Sequence, residues 1–192
     1  GHGVPVVVLD PGHGGEEIGA AAYGVVERDS NLDMAQRTAK YLKEKNSKVQ
    51  VIGADPVGSI LKHYHETGEM SEASTYKIEG VGEDFIPSAT DFSLIDRVIS
   101  CNDRDGLNSA RRLAREEAIF VGGSSGMATW VAIEVAKGLT PDDLVVVLLP
   151  DTGERYLTKV HNDEWMRDNH LLDPSNVRVG NIAAGKAARV RT

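Results

Sequence analysis

Two glycine-rich stretches hold the residues of this 192-residue chain whose types and spacing could bind or react. The first is Asp10-Pro11-Gly12-His13-Gly14-Gly15, and the second is Gly122-Gly123-Ser124-Ser125-Gly126. Glycine lets a backbone approach a ligand closely, and a helix that follows offers unpaired N–H groups, so either loop suits a small anion. The plainer alternative is a tight strand-to-helix connection. Neither loop has the Lys-Ser/Thr ending of a nucleotide-phosphate loop. His13 and Glu27 form a candidate zinc pair. A catalytic zinc normally takes three protein ligands, and His63 and His65 are the available thirds, in an irregular part of the sequence. Exposed loop residues are the plainer reading of the pair. Ser124 and Ser125 have no sequence-evident histidine and acid for a hydrolase triad. Cys101 ends a predicted strand and reads as core, not nucleophile. His161 and His170 lie among charged residues and read as solvated. No catalytic residue is assigned.

The elements that must position these residues alternate. Val6–Leu9 reads as a buried strand ended by a turn at Asp10-Pro11-Gly12. Ser30 to Asp33 has the form of a capping box, and Leu32, Ala35, Ala39 and Leu42 follow at helical spacing. Val49–Ile52 reads as a second strand ending at Asp55-Pro56, which gives a right-handed strand–helix–strand unit. Residues 57 to 91 show little pattern. Ile95–Ile99 suits a strand, Asn102-Asp103 a helix cap, and Leu107, Ala110, Leu113, Ala114 and Ala118 one helix face. A buried helix is predicted from about Ser125 to Lys137, apolar on several sides. Leu144–Leu149 reads as a central strand, and Asp163–Asn169 as a short helix. The expected fold is a three-layer α/β/α, Rossmann-like domain with a mostly parallel sheet, covering residues 1–192 as one unit with a tail over 173–192.

Composition narrows the function. The 29 acidic and 21 basic residues leave a net charge of −8, which disfavours polyanionic partners, both nucleic acid and anionic membrane. With a single cysteine there is neither an intramolecular disulfide nor a cysteine-cluster metal site. The apolar runs are far too short to span a bilayer, and no signal peptide is recognised, so a cytoplasmic setting is expected. Gly1-His2-Gly3 reads as a cloning remnant, and His2 is given no functional weight.

Two family resemblances appear along the chain. Residues 5 to about 38 resemble the start of the zinc-dependent N-acetylmuramoyl-L-alanine amidases in Val7-Val8-Leu9-Asp10-Pro11-Gly12-His13-Gly14-Gly15, Glu27, Asn31-Leu32 and Ala35. That resemblance implies zinc binding by His13 and Glu27. The family's third ligand, in a Ser-x-His-Ala-Asn type stretch, and its late catalytic glutamate have no match. Residues from about 39 to 172 resemble the catalytic core of the cystathionine β-synthase family, pyridoxal-phosphate enzymes of the tryptophan-synthase β fold. The matching stretches are Leu42 to Asn46, Val51 to Leu61, Glu79 to Pro87, Gly122 to Gly126 and Leu149-Pro150-Asp151, with Lys159 and Trp165-Met166.

This second resemblance implies that Ser124 contacts the cofactor's pyridine nitrogen within the Gly122, Gly123, Ser124, Ser125, Gly126 loop. The family's covalent lysine belongs to a region without counterpart here. The place of its Gly-Thr-Gly-Gly-Thr phosphate loop is taken by the amidase-like Gly-His-Gly-Gly loop. The expectation is therefore an engineered chimera, a de novo scaffold recombined within a helix near Ala35–Tyr41, with no native catalysis and no cofactor. Zinc at His13 and Glu27, or weakly held pyridoxal phosphate at Ser124, are the alternatives. Self-association and a small anion at either glycine loop are the expected partnerships.

Overall fold

The computed structural model describes residues 5–9, 21–22, 25–87 and 90–173. Strand β1 is Pro5–Leu9, and a two-stranded antiparallel pair, β2 (Ala21–Ala22) and β3 (Val25–Val26), leads into helix α1, Glu27–Lys45. Ser30 therefore lies inside α1 and does not cap it. β3 runs straight into Glu27, and Glu-Arg-Asp-Ser continues as helix without a break. Strand β4 is Gln50–Pro56, helix α2 Leu61–Thr67, strand β5 Arg97–Cys101 and helix α3 Asp103–Glu116. Helix α4 is Gly123–Ala136, strand β6 Leu144–Val147 and helix α5 Asp163–Asp168.

The sheet has the order β5-β4-β1-β6, and every pairing in it is parallel. Helix α4 crosses one face and α3 packs on α4. On the other face Ala39 and Leu42 of α1 meet Val7, Val49 and Val51. The three layers of the expected α/β/α fold are thus present.

β6 is an edge strand, not the central strand that its apolar run suggests. The register sets Val51, Val7 and Val146 side by side on one face. Cover there reaches Val51 and Val7 but leaves Val146 45% and Leu144 61% exposed. The alternate residues Val145, Val147 and Leu149 pack into the core beside Met127, Val131 and Val6.

Asn102 caps α3 as expected, its side chain accepting from the Asp105 N–H at 2.9 Å. The contact that sets the position of α4 is made by glycine. A Cβ on Gly126 would lie 2.4 Å from the carbonyl oxygen of Gly106 and 2.6 Å from the amide nitrogen of Ala110. A Cβ on Gly106 would lie 2.7 Å from Ile78 Cδ1. The approach at Gly126 is backbone to backbone, which no larger residue permits, whereas at Gly106 it is the tip of the Ile78 side chain that would have to give.

Gly126→Ala is accordingly expected to cost about 3 kcal/mol through overpacking. Gly68 has a left-handed φ of 74° but open space around it, so Gly68→Ala should cost about 1 kcal/mol. Urea denaturation of both variants measures the pair. Equal losses, or the larger one at Gly68, would show that the α3–α4 contact is not as close as described.

Candidate functional site

All four strands of the sheet point the same way, so their carboxyl ends share one edge. Ligands of open α/β sheets gather at such an edge. The chain reaches it after β6 and there meets the first turn of α4. Gly122 is the N-cap of α4, with an extended backbone and no side chain to cap with. Its N–H donates to Asp151 Oδ1 at 3.0 Å, and the Ser125 hydroxyl donates to the same oxygen at 2.9 Å. The Tyr156 ring lies against the same turn, near the Asp151 carboxylate. Burial first, and then the neighbouring Asp151 carboxylate, raise the Tyr156 phenol above its usual range, so it stays protonated.

Space requires the glycine at 122 and is tight at 123. A Cβ on Gly122 would sit 2.1 Å from Asp151 Oδ2 and 2.4 Å from the Tyr156 ring, and one on Gly123 would sit 2.7 Å from Leu107 Cδ2. The turn is held from a second side by His161. This residue is buried, against the expectation that it is solvated. Its Nε2 lies 2.7 Å from the Val121 carbonyl oxygen, which makes that nitrogen the protonated one. Its ring lies 4.5 Å from that of Phe120. Charged neighbours in sequence hid this, because Val160 and His161 turn inward while Arg155 and Glu164 stay outside. His170 is exposed, as expected.

Ser124 completes the turn. It is 5% exposed and has no hydrogen-bond partner among the described residues, although the Gly122 N–H two residues before it and the Ser125 hydroxyl after it are both bonded. A crevice of about 10 Å³ beside Gly123 is lined by Leu107, Tyr156, Val160 and Trp165 and by the Lys159–Glu79 ion pair.

A second buried polar group lies at the end of β4. Asp55 is 2% exposed, and its Oδ2 accepts from the Lys62 N–H at 3.1 Å. Its Oδ1 has no partner among the described residues. Burial pushes this carboxyl above the usual range, against the opposing hydrogen bonds from Ser59 and Lys62. Above it, Tyr76 and residues 78–83 line a cavity of about 150 Å³. Gly80 and Gly82 take positive φ there.

The remaining expected site residues are not gathered into this cluster. His13 lies outside the described residues. Glu27 opens α1, with its side chain likewise outside the description. His63 and His65 lie on α2, a helix unforeseen in the sequence. His65 Nε2 is 2.9 Å from the Ile95 carbonyl oxygen. Among the described residues no group of three His, Cys, Asp or Glu side chains could hold a metal ion, and no helix is long and apolar enough to cross a membrane.

The model of the pyridoxal-phosphate dependent enzyme family matches residues 34–151, more than half of the chain. This chain belongs to that family. Cystathionine β-synthase of Saccharomyces cerevisiae is 42% identical over 138 residues, which are 70% of this chain and 27% of that protein. The Apis mellifera cystathionine β-synthase is 34% identical over 160 residues, 78% of this chain and 31% of that one. The chain thus spans about a quarter to a third of these relatives' length. Among solved structures, an O-acetylserine dependent cystathionine β-synthase from Helicobacter pylori aligns with a TM-score of 0.60 at 30% identity, over 82% of this chain and 43% of that one. An O-ureido-L-serine synthase aligns with a TM-score of 0.62 at 24% identity, over 82% and 42%.

These similarities overturn the expectation of an engineered scaffold without activity. The family match runs through both parts of the turn, the Gly122 loop and Asp151, and the fold is that of family members. The expectation weighed missing catalytic pieces against a chain that covers only part of its relatives.

Cys101 is fully buried at the end of β5, and burial, with Asp105 and Asp103 nearby, pushes its thiol from 9.0 up to about 12. The folded thiol keeps its proton longer than the unfolded one. Its contribution to stability is therefore present below pH 9.0 and is lost as the pH rises towards about 12. A chromogenic disulfide reagent at neutral pH should find no accessible thiol in the native chain and one per chain in guanidinium. Reaction of the native chain at the rate of a free cysteine would contradict this placement.

Proposed function

We propose that this chain carries the ring-nitrogen side of a pyridoxal-phosphate site of the cystathionine β-synthase type, with Ser124 as the partner of the pyridine nitrogen. One observation carries the reading. Among the described residues Ser124 presents an unpartnered hydroxyl, at a glycine turn where the Gly122 N–H and the Ser125 hydroxyl are both taken by Asp151. A neutral hydroxyl is the group a pyridine nitrogen needs, since it either donates to the bare nitrogen or accepts from the protonated one. The fit extends to Gly122 and Gly123, which keep side chains from the approach to the turn.

The cofactor, when bound, supplies an electron sink for reactions at the α- and β-carbons of an amino acid. The chain's own residues hold the ring's nitrogen edge, and the buried walls of Val121, Leu107 and Met127 keep water from behind it. The class of reaction proposed is replacement at the β-carbon of a serine-like amino acid, supported by the identity to cystathionine β-synthases.

We further infer one domain across the chain. Support comes from β1, which sits in the sheet between β4 and β6 although β6 follows it by more than a hundred residues. The amidase-like reading of residues 5 to about 38 is supported by their Gly-His-Gly-Gly motif and by a family match that starts at residue 34, inside α1.

Equilibrium dialysis against pyridoxal phosphate tests the reading of Ser124. The full chain should retain the cofactor, and Ser124→Ala should weaken retention about tenfold, the effect of one hydrogen bond to a chargeable group. Equal retention by both proteins would remove Ser124 from the site, and none by either would remove the site.

A further inference from the structure

The Leu149-Pro150-Asp151 motif plays no part in the cofactor contact assigned above, yet its carboxylate lies against the start of α4. In a capping box, an acid at the third helical position bonds the N–H of the N-cap residue. Here the N-cap is Gly122 and the third position is Ser125, which carries a hydroxyl and no charge. Asp151 supplies the missing acid from across the fold, 29 residues away in sequence. Its Oδ1 accepts from both Gly122 N–H, at 3.0 Å, and Ser125 Oγ, at 2.9 Å. The bare Cα of Gly122 is what admits the carboxylate at this range, since a Cβ would lie 2.1 Å from Oδ2.

We propose that Asp151 is a positioning residue for Ser124. It fixes the backbone two residues before that hydroxyl and the side chain one residue after it, and by taking the Gly122 N–H and the Ser125 hydroxyl it leaves the hydroxyl of Ser124 for a ligand. The proposal rests on the reading of Ser124 as the ring-nitrogen partner. It concerns a residue that does not itself touch the cofactor.

Two measurements on the full chain separate the proposal from that reading. The first, amide hydrogen exchange, needs no cofactor. Asp151→Ala should speed exchange across Gly122–Gly126 at least tenfold, as expected when a buried N–H loses its acceptor, and leave the amides of α3 unchanged. The second is the dissociation constant for pyridoxal phosphate, which should rise about tenfold in Asp151→Ala. Asp151→Asn should recover most of both effects, because its carbonyl oxygen still accepts from Gly122 and Ser125. A merely structural aspartate would show no such rescue confined to one turn.

Wild-type exchange at Gly122–Gly126 in Asp151→Ala overturns the proposal. So does loss of protection spread evenly over the chain in both Asp151 variants. If Asp151→Ala does not fold, Ser125→Ala removes one of the two bonds and should give about a threefold effect on the same amides, and no effect overturns the proposal. If the wild-type chain binds no cofactor, the reading of Ser124 fails, and the exchange result still decides the role of Asp151.

Discussion

Helix α4 lies where it does because two backbones touch. With hydrogen in place of a side chain at Gly126, α4 settles onto the Gly106 and Ala110 backbone of α3 at a distance that a Cβ there would not allow. Met127, Ala128, Val131 and Ala132 can then bury themselves between α3 and the sheet. Burial of this kind is the main source of stability in such a layer. It also fixes the axis of α4 relative to the strands, and so fixes where its first turn emerges. That turn comes out beside the end of β6, within reach of Asp151. The closure of the turn by Asp151 and His161, and the lone hydroxyl of Ser124 within it, follow from that placement.

Much of this architecture was legible in the sequence, and what was legible had local causes. Val6–Leu9 and Val49–Ile52 are β-branched runs that need a covered sheet, and both lie in it. Asn102 before Asp103 signals a cap because the amide side chain is the right length for the Asp105 N–H. Helix α2 was not legible. It has no buried residue, so no apolar stripe marks it, and it forms through the Ile60 and Tyr64 carbonyls and a left-handed Gly68. The edge position of β6 was equally hidden, because an apolar run looks the same whether both faces or one are covered. Only the register reveals that Val146 lies beyond the cover of its neighbours Val7 and Val51.

The site divides in the same manner. The glycine loop and Ser124 stand out in sequence through composition and family likeness. Asp151 and His161 come from 29 and 40 residues beyond the groups they hold, and nothing local announces such contacts. Arg111 illustrates the point further. It falls on the buried side of α3, where the helical pattern suggests alanine or leucine, and there its Nη1 donates to the Val160 carbonyl while its Nη2 pairs with Asp163. A guanidinium–carboxylate pair below the surface is tolerated when its geometry is good and further hydrogen bonds support it. The segment from Asp151 to Asp173 thus acts as a polar brace around the α3–α4 pair. Its only sequence signal is likeness to a family that has the same words in the same order.

The central claim is that the first turn of α4 is shaped to leave one hydroxyl for the ring nitrogen of pyridoxal phosphate. A crystal structure of this chain grown with the cofactor tests it most directly. The account predicts the pyridine nitrogen about 2.8 Å from Ser124 Oγ, with Asp151 still bonded to Gly122 and Ser125. A cofactor seated elsewhere, or a ring nitrogen paired with another group while Ser124 faces away, would contradict it.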